Sequence, residues 1–378
     1  MEPARPAADL TPAQQLKFRL LAEGMSVTPA ARARLDDLRG QRALTPADYP
    51  STTGLILRLD DDVWVNAPIA EHNPEFVVEP PNLLDVGPRG FAISGGGRKS
   101  TASVWLPPLC HDATLSGGRP LTHFVFTHGD RARLSPIRGC AMRCKFCDLP
   151  FTDPYETKPV EAMIEALRWA FDDPLQPASH ALISGGTPKK RDVPVLRAAY
   201  EQVLAAFPSR HIDIMMGPLD GLLDVPVLRQ LGLHELSINI ELVNRDIARR
   251  LIPQKHHEGL ARFIESIAAA AAIMGPGRVR SMLMVGLEPP EDTLEGVRLI
   301  VEAGGVPVLS PFRPAAATPL KDTPLLSGAE YEAIFLAAES TATRHGGVLG
   351  PCCPPCTHNT LALVPIGVDY PYPVPEMV

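Results

Sequence analysis

The segment LSPIRGCAMRCKFC, residues 134–147, joins a short apolar run to a loop that carries three cysteines. Leu134–Ile137 has the composition of a β-strand, and the loop that follows holds Cys140, Cys144 and Cys147. The three thiols therefore come directly after the carboxyl end of a strand, at a Cys-x3-Cys-x2-Cys spacing.

Downstream of this loop, short apolar strands alternate with helices, as they do in parallel βαβ units. The further predicted strands are His180–Ser184, His211–Met216, Glu235–Ile240, Val279–Val285 and Val306–Pro311. The predicted helices between them are Lys158–Phe171, Val193–Phe207, Val225–Leu231, Glu258–Ala272 and Thr293–Ala303. Six strands predict an α/β fold, a partial (βα)6 TIM-type barrel, with an open doubly wound sheet as the alternative. In such barrels the chemistry gathers at the carboxyl ends of the strands.

The rest of the chain divides around this barrel, which we assign to residues 131–325. Residues 1–130 form a predicted N-terminal extension, helical over Thr11–Arg39 with a break at Pro29 and β-rich from Gly54 onward. Residues 326–378 contain a last predicted helix, Ala329–His345, and a cysteine-bearing tail.

Composition limits the function classes. The chain has 378 residues, with 36 Lys and Arg against 43 Asp and Glu, and its basic residues are scattered, so we expect no nucleic-acid partner. No apolar run is long enough to span a bilayer and no leader pattern is seen, so we expect no membrane partner and a cytoplasmic location. Six of the seven cysteines fall in two clusters, which favours metal ligation over disulfides.

The first cysteine cluster suits an iron–sulfur centre. Three close thiolates can hold three irons of a [4Fe–4S] cubane and leave the fourth iron for the amino and carboxylate groups of S-adenosylmethionine (SAM). With Phe146 before the last cysteine, the motif resembles the radical SAM superfamily, in its biotin-synthase-like branch. The resemblance implies that Cys140, Cys144 and Cys147 are catalytic cluster ligands and that Phe146 lies at the cofactor. The alternative is a zinc site completed by a distant cysteine such as Cys352.

The second predicted strand ends in Ser-Gly-Gly-Thr-Pro, where two glycines let the backbone approach a ligand closely. The resemblance implies that Gly185, Gly186 and Thr187 correspond to the family's segment at the methionyl amino group of SAM. Thr187 stands where the family usually has glutamate. A plain turn is the alternative.

The fourth predicted strand carries polar residues on one face: Ser237, Asn239 and Glu241 alternate with isoleucines. Similar strands in the family line the SAM cavity, so the resemblance implies contacts to SAM. An edge strand with a solvated face is the alternative. Arg245, on the next helical segment, is a candidate for pairing with a carboxylate, although most helix arginines face water.

The ends of the last two predicted strands complete the set of cofactor residues. The resemblance implies that Val285 and Gly286 lie against the adenosine part of SAM. Arg313, held between two prolines, is a candidate for binding an anionic group of SAM or of the substrate. The resemblance covers about Arg133 to Leu320.

The second cysteine cluster, Gly-Pro-Cys-Cys-Pro-Pro-Cys-Thr-His, lies in the tail. Cys352, Cys353 and Cys356, with His358 as a weaker candidate, are expected to bind an auxiliary Fe–S cluster, a structural zinc or a thiophilic substrate. Coincidental packing of small core residues is the remaining alternative. We expect the tail to fold over the mouth of the barrel.

Together these features predict an enzyme that reductively cleaves SAM and acts on a small molecule, with flavodoxin or ferredoxin as electron donor. Vicinal thiols suit trivalent arsenic, and the layout is similar to arsinothricin-pathway radical SAM enzymes. That resemblance implies transfer of the 3-amino-3-carboxypropyl group of SAM to thiol-bound arsenite in antibiotic biosynthesis. One alternative is 5′-deoxyadenosyl-radical chemistry on a natural-product precursor, with an auxiliary cluster in the tail. The non-enzyme alternative is a metal or redox sensor.

Overall fold

The protein is built on two β-sheets flanked by helices. A computed structural model describes residues 10–40, 45, 54–88, 90–95, 97–364, 375 and 377–378. The larger sheets of these residues have six and seven strands, and a two-stranded ribbon accompanies them. Their buried apolar residues form one nearly continuous core, so the N-terminal extension packs directly on the barrel.

The six-stranded sheet belongs to the N-terminal extension. Its strands are β1 (Ser26–Val27), β2 (Gly54–Leu59), β3 (Val63–Pro68), β4 (Leu83–Gly87), β5 (Gly90–Gly95) and β6 (Arg98–Val104). They lie in the order β1-β4-β5-β6-β2-β3, antiparallel except for the β1–β4 pair. The β-rich character expected from Gly54 onward is therefore present.

The seven-stranded sheet is the barrel. Its strands are β7 (Val125–His128), β8 (Arg131–Leu134), β11 (His180–Ile183), β12 (Ile212–Met215), β13 (Leu233–Ser237), β14 (Val279–Val285) and β15 (Val306–Pro311); β9 (Ile137–Arg138) and β10 (Glu156–Thr157) form the ribbon. Strands β8 and β11 to β15 are parallel and adjacent in chain order, which confirms the predicted partial (βα)6 barrel. Strand β7 adds an antiparallel edge that the alternation of strands and helices did not predict.

The helices cover the outside of both sheets. They are α1 (Pro12–Glu23), α2 (Pro29–Leu38), α3 (Leu149–Thr152), α4 (Val160–Phe171), α5 (Val193–Ala206), α6 (Val225–Gln230), α7 (Arg245–Leu251), α8 (Pro253–Glu258), α9 (Leu260–Met274), α10 (Pro290–Glu302) and α11 (Gly328–Arg344). No helix among the described residues has the length and apolar character needed to cross a bilayer.

Local capping signals explain where several helices begin. Thr11 and Ser327 form capping boxes with the third residues of α1 and α11. Pro29 begins α2 instead of interrupting a longer helix, because the preceding Thr28 side chain accepts from the N–H of Ala31. A helix therefore begins at the predicted break, but the prediction of helix up to Pro29 is wrong, because α1 already ends at Glu23 and β1 lies between the two helices.

Beyond α11 the tail returns along the barrel. The Gly350 N–H donates to Pro307 O at 2.9 Å and the Leu361 N–H to Leu309 O at 2.9 Å, so the tail runs beside the edge strand β15. Lys17 on α1 donates from Nζ to Thr357 O at 2.9 Å. The N-terminal helix and the barrel edge thus hold the tail between them.

Candidate active site

The first cysteine loop lies at the carboxyl ends of the barrel strands. It follows β9, and the Ala141 N–H donates to Thr187 O at 2.9 Å. At its other side the Lys145 N–H donates to Leu251 O, also at 2.9 Å. The loop is therefore attached both to the segment after β11 and to the end of α7.

The two glycines after β11 are required by the cysteine loop itself. A Cβ on Gly186 would overlap Gly139 O and approach Cys140 Cα to 3.0 Å, and a Cβ on Gly185 would overlap Ser135 Oγ. Gly185 also has a φ of +136°, a value that L side chains rarely adopt. In this structure Gly186 makes room for the backbone of Gly139 and Gly185 for the side chain of Ser135, which is a different physical reason from the ligand approach predicted for them.

The sulfur of Cys140 accepts two backbone hydrogen bonds. The Thr187 N–H donates to Cys140 Sγ at 3.1 Å, and the Met142 N–H donates to the same sulfur at 3.3 Å. Such bonds to cysteine sulfur are among the features that set the reduction potential of an iron–sulfur cluster. Cys140, Cys144 and Cys147 are all free thiols, so the loop fits a cluster held by three protein ligands.

Cys144 and Phe146 rest against an apolar surface. They pack on a small buried cluster formed by Leu242, Ala248 and Ile252. Burial in these surroundings raises the pKa of the Cys144 thiol, and the Glu241 carboxylate raises it further. Burial likewise raises the pKa of the Cys147 thiol, to about 11. Both thiols become thiolates readily only when a cation shares the site.

The predicted polar face of the fourth strand is interrupted. Strand β13 ends at Ser237, whose hydroxyl donates to Asn239 Oδ1 at 2.8 Å, and the Met282 N–H donates to the same oxygen at 3.1 Å. Both side chains are buried and turn toward each other and toward β14. Their first role in the structure is to join two neighbouring strands.

Glu241 adopts a strained backbone conformation beside the cysteine loop. Its φ is +70°, which is uncommon for a residue other than glycine and typical of functional sites. Its Oε1 lies 2.7 Å from Lys255 Nζ, and both side chains are about nine-tenths buried. Lys255 also donates to Asn239 O at 3.0 Å. Sequence analysis did not identify Lys255, because no motif marks a lysine on the short helix α8.

The remaining cofactor candidates are Arg245, at the start of α7, and Val285 and Gly286, at the end of β14. Arg245 donates from Nη2 to His256 O at 2.6 Å. Val285 is buried at the end of β14, and Gly286 has a φ of +101°. Next to them the Glu288 carboxylate accepts from the N–H groups of Val243 and Asn244, each at 2.9 Å.

Arg313 connects the barrel to the N-terminal sheet. Its guanidinium donates to Asn66 O at 2.9 Å and to Asn66 Oδ1 at 3.3 Å, so its hydrogen bonds are made to strand β3. Burial lowers the pKa of Arg313 to about 10. The prediction that Arg313 binds an anionic group of SAM or substrate rests on the sequence alone, while these contacts assign it a part in joining the two sheets.

A cavity of about 480 Å³ opens beside the cysteine loop. Cys147 and Gly185 border it on one side, and the aromatic rings of Phe124 and Phe126 line it as well. Its polar lining is rich in basic groups, namely Arg133, Arg138, Lys158, His123 and His128, with Asp148 and Asp153 as the acidic ones. Its size and lining suit a small molecule with a negative charge and an apolar part.

The tail cysteines lie at the opposite end of the barrel. Cys353 Sγ is 3.7 Å from Asp130 Oδ1, and Cys356 Sγ is 3.4 Å from His180 Nε2. Asp130 immediately precedes β8 and His180 begins β11, so this site is at the amino ends of the strands. The expectation that the tail folds over the barrel mouth, where Cys140 lies, is wrong, because Gly350, just before the tail cysteines, is already bonded to Pro307 at the amino end of β15.

The structure brings together two of the four candidate residues of the tail. Cys353 and Cys356 join Asp130 and His180, and the ligand atoms of all four lie within 4.8 Å of one another. Cys352 is exposed and is not one of the four, although it lines a small cavity that His180 and Cys353 also border. His358 is buried apart from the four.

Sequence analysis missed Asp130 and His180 as members of this site. Asp130 lies in a turn and His180 is the first residue of a strand, and neither is near a cysteine along the chain. The available signal was the presence of charged residues, Asp213 and Arg280 among them, in strands that a parallel sheet otherwise keeps apolar. Such residues indicate a polar interior without naming their partners.

Comparisons with known proteins identify one matching family model and several similar solved structures. Residues 134–304 match the family model of the Radical SAM superfamily. No curated protein is similar to the chain in sequence. One similar solved structure is HydG, a maturase of the [FeFe]-hydrogenase, with 13% sequence identity over 57% of this chain and 49% of that chain and a TM-score of 0.45. A second is a radical SAM methyltransferase from Sphaerobacter thermophilus, with 14% identity over 74% of this chain and 79% of that chain and a TM-score of 0.46. A third is Streptococcus suis SuiB bound to S-adenosylmethionine, with 15% identity over 60% of this chain and 50% of that chain and a TM-score of 0.44. The match thus spans about half the length of HydG and of SuiB. Similarity to arsinothricin-pathway enzymes finds no support among these comparisons.

Proposed function

We propose that this chain, whose residues 134–304 match the Radical SAM superfamily model, is an enzyme that generates a 5′-deoxyadenosyl radical, and that this radical acts on a small anionic substrate. Enzymes of the superfamily use a [4Fe–4S] cluster and SAM, and they require a small-molecule substrate and a reductant. The observation that carries the proposal is the attachment of the Cys140 loop to the segment after β11, with the Thr187 N–H donating to Cys140 Sγ at 3.1 Å.

The residues of the loop have distinct parts in this proposal. Cys140, Cys144 and Cys147 would hold the cluster, which, once reduced by an external electron donor, would pass to SAM the electron that cleaves one of its carbon–sulfur bonds. The N–H groups of Thr187 and Met142 stabilise the negative charge on the Cys140 sulfur. The aliphatic and aromatic surface under Cys144 limits the access of water to the site.

The position of the tail favours one of the two expected reactions of SAM. Transfer of an aminocarboxypropyl group to thiol-bound arsenite needs the tail thiols close to SAM. Cys356 instead contacts His180, at the start of β11, while the Cys140 loop contacts the segment after that strand. His180 and Ser184 alone are four residues apart, about 13 Å along an extended chain. We therefore favour the deoxyadenosyl reaction, which needs no thiol at the substrate.

The cavity beside Cys147 supports the substrate class. Arg133 and Lys158 border it. Phe126 and Arg133 are directly paired across β7 and β8, so their side chains lie on the same face of the sheet. Burial lowers the pKa of Lys158 to about 8, and a bound anion would favour its charged form. A substrate with a carboxylate or phosphate and an apolar part would satisfy both kinds of lining.

The test is the identity of the nucleoside released. The protein is reconstituted anaerobically with iron and sulfide, reduced in the presence of SAM, and its products are separated by chromatography. We expect 5′-deoxyadenosine, and the Cys147→Ala variant should release none, since the cluster would lack a ligand. Methylthioadenosine as the main product would reject the deoxyadenosyl proposal and return the aminocarboxypropyl reaction to first place.

A second measurement tests the substrate class. Replacement of Arg133 by Met should raise the KM for an anionic substrate about tenfold or more while uncoupled SAM cleavage persists, because a charge-assisted hydrogen bond contributes roughly 1.5–3 kcal/mol. Arg191, an exposed arginine on the surface, provides the control as Arg191→Met. An equal loss in both variants would argue against substrate binding in this cavity.

A further inference from the structure

The four residues at the amino ends of the strands have the spacing of ligands around one metal ion. Cys356 Sγ is 3.4 Å from His180 Nε2 and 3.9 Å from Asp130 Oδ1. Cys353 Sγ is 3.7 Å from Asp130 Oδ1 and 4.0 Å from His180 Nε2, and His180 Nε2 is 3.6 Å from Asp130 Oδ2. Bond lengths of about 2.0–2.3 Å to zinc require tetrahedral ligands to lie about 3.3–3.8 Å apart. The distances agree with that range to within a few tenths of an ångström.

We propose that Asp130, His180, Cys353 and Cys356 bind a single zinc ion that fastens the tail to the floor of the barrel. The site is distinct from the SAM-cleaving site, since the two occupy opposite ends of β11. Two ligands come from the tail and two from the barrel, so the ion joins segments that are more than 170 residues apart in the chain, as the separation of 173 between Cys353 and His180 illustrates.

The surroundings of His180 match those of metal-bound histidines. Its Nε2 faces the thiols, and its Nδ1 lies 3.8 Å from Asp213 Oδ2. Asp213 is itself held by Arg280, whose Nη2 lies 3.1 Å from the same oxygen. A carboxylate behind the second ring nitrogen orients a ligating histidine and increases its basicity. The chain therefore provides both the ligands and the residue that orients one of them.

The ligand set selects zinc over an iron–sulfur cluster. Two thiolates, one imidazole and one carboxylate are all ligands that zinc accepts in a closed tetrahedral site. A cluster distributes its protein ligands over separate iron atoms and so holds them farther apart than the ligands of one ion. Asp130 is 1% exposed and His180 is 6% exposed, so water has little access to the coordination positions. This arrangement is that of a structural site and not of a catalytic one.

The role of the ion follows from the position of the tail. Residues Pro355–Asn359 pack against β3 of the N-terminal sheet, and Gly350 is bonded to the edge strand β15. Through Asp130 and His180, Cys353 and Cys356 would attach the same segment to the amino ends of β8 and β11. One ion would thus connect these strands, through the tail, to β15 and to the N-terminal sheet. Loss of the ion should therefore weaken the packing of the tail against all three.

The test uses a chain from which the first site has been removed. In the variant Cys140→Ala/Cys144→Ala/Cys147→Ala, elemental analysis of the purified protein should find one zinc per chain and no iron. After removal of zinc by a chelator, one equivalent of Co²⁺ should restore the midpoint of thermal unfolding. It should also give the intense visible absorption of a tetrahedral cobalt–thiolate site. The readout does not depend on SAM cleavage, so it stands or falls separately from the proposed enzyme activity.

Single replacements in the same background locate the ligands. Cys356→Ser and His180→Asn should lose the metal or bind it at least tenfold more weakly, and Cys352→Ser, a matched cysteine outside the set, should bind it as the parent does. The proposal is overturned if the folded parent variant binds neither Zn²⁺ nor Co²⁺, or if it retains about four irons. It is equally overturned if Cys352→Ser abolishes binding while Cys356→Ser does not. Circular dichroism of each variant establishes that it is folded.

Discussion

Lys255 Nζ lies 2.7 Å from Glu241 Oε1, at a point where Glu241 holds a backbone φ of +70° next to the cysteine loop. The side chains are 11% and 10% exposed, so the two charges depend on each other. Removal of one partner from a buried pair costs more than removal of both, because the remaining charge stays without compensation.

We expect the variant Lys255→Met to lower the free energy of unfolding by about 3 kcal/mol. The double variant Glu241→Gln/Lys255→Met should regain most of this loss, since no charge is then left unpaired. Urea denaturation followed by circular dichroism measures both. If the double variant is less stable than Lys255→Met alone, the pair does not act as described.

Gly186 provides a test of the contact between the cysteine loop and the segment after β11. A methyl group at Gly186 would overlap Gly139 O, so Gly186→Ala should displace the loop and reduce the iron bound after reconstitution to less than half. Gly217→Ala is the matched control, because a Cβ there meets nothing within 4 Å. Iron content and the visible absorption of the cluster are measured on both. Normal iron in Gly186→Ala would mean that the contact has no part in holding the loop.

Replacement of Arg313 distinguishes a structural role of this residue from a role in binding SAM or substrate. Its two bonds to Asn66 predict that Arg313→Met lowers the free energy of unfolding by about 2–3 kcal/mol, because buried acceptors lose a charged donor. The KM for SAM should stay unchanged in the protein that remains folded. A large rise in KM with unchanged stability would support the role that the sequence alone predicts.

Glu288 predicts a pH dependence of stability. Burial raises the pKa of its carboxyl from 4.5 to about 7, so between these values the folded chain holds a proton that the unfolded chain has released. Its contribution to stability is therefore fully present below about pH 4.5 and is lost as the pH rises through about 7. Glu288→Gln cannot ionise and keeps an oxygen that accepts from Val243 and Asn244.

The measurement compares urea unfolding of Glu288→Gln and of the unmodified chain at several values between about pH 4.5 and about pH 8. We expect the unmodified chain to lose stability relative to the variant as the pH rises. A difference that stays constant over this range would exclude a raised pKa for Glu288.

Much of the barrel could be predicted from local patterns. The bounds of β14 and β15 agree with the prediction because both strands are rich in apolar residues and begin directly after Arg278 and Gly305. Strand β13 was extended too far, to Ile240, because the alternation of polar and apolar residues continues past Ser237. Side-chain periodicity also carries no information on the left-handed backbone conformation of Glu241, which lies beyond the end of β13 and forms an isolated bridge with Leu283.

The sequence by itself determined the candidate SAM-cleaving centre, because Cys140, Cys144 and Cys147 lie within eight residues and a local loop suffices to gather them. Only the tertiary structure decided the second site. Cys356 is 226 residues from Asp130, and chain spacing cannot indicate which distant side chains a returning tail will meet. The same spacing of cysteines is compatible with a tail at the mouth of the barrel. The tail lies at the amino ends of the strands because Gly350 is bonded to Pro307 there and because the cysteines meet the buried Asp130 and His180.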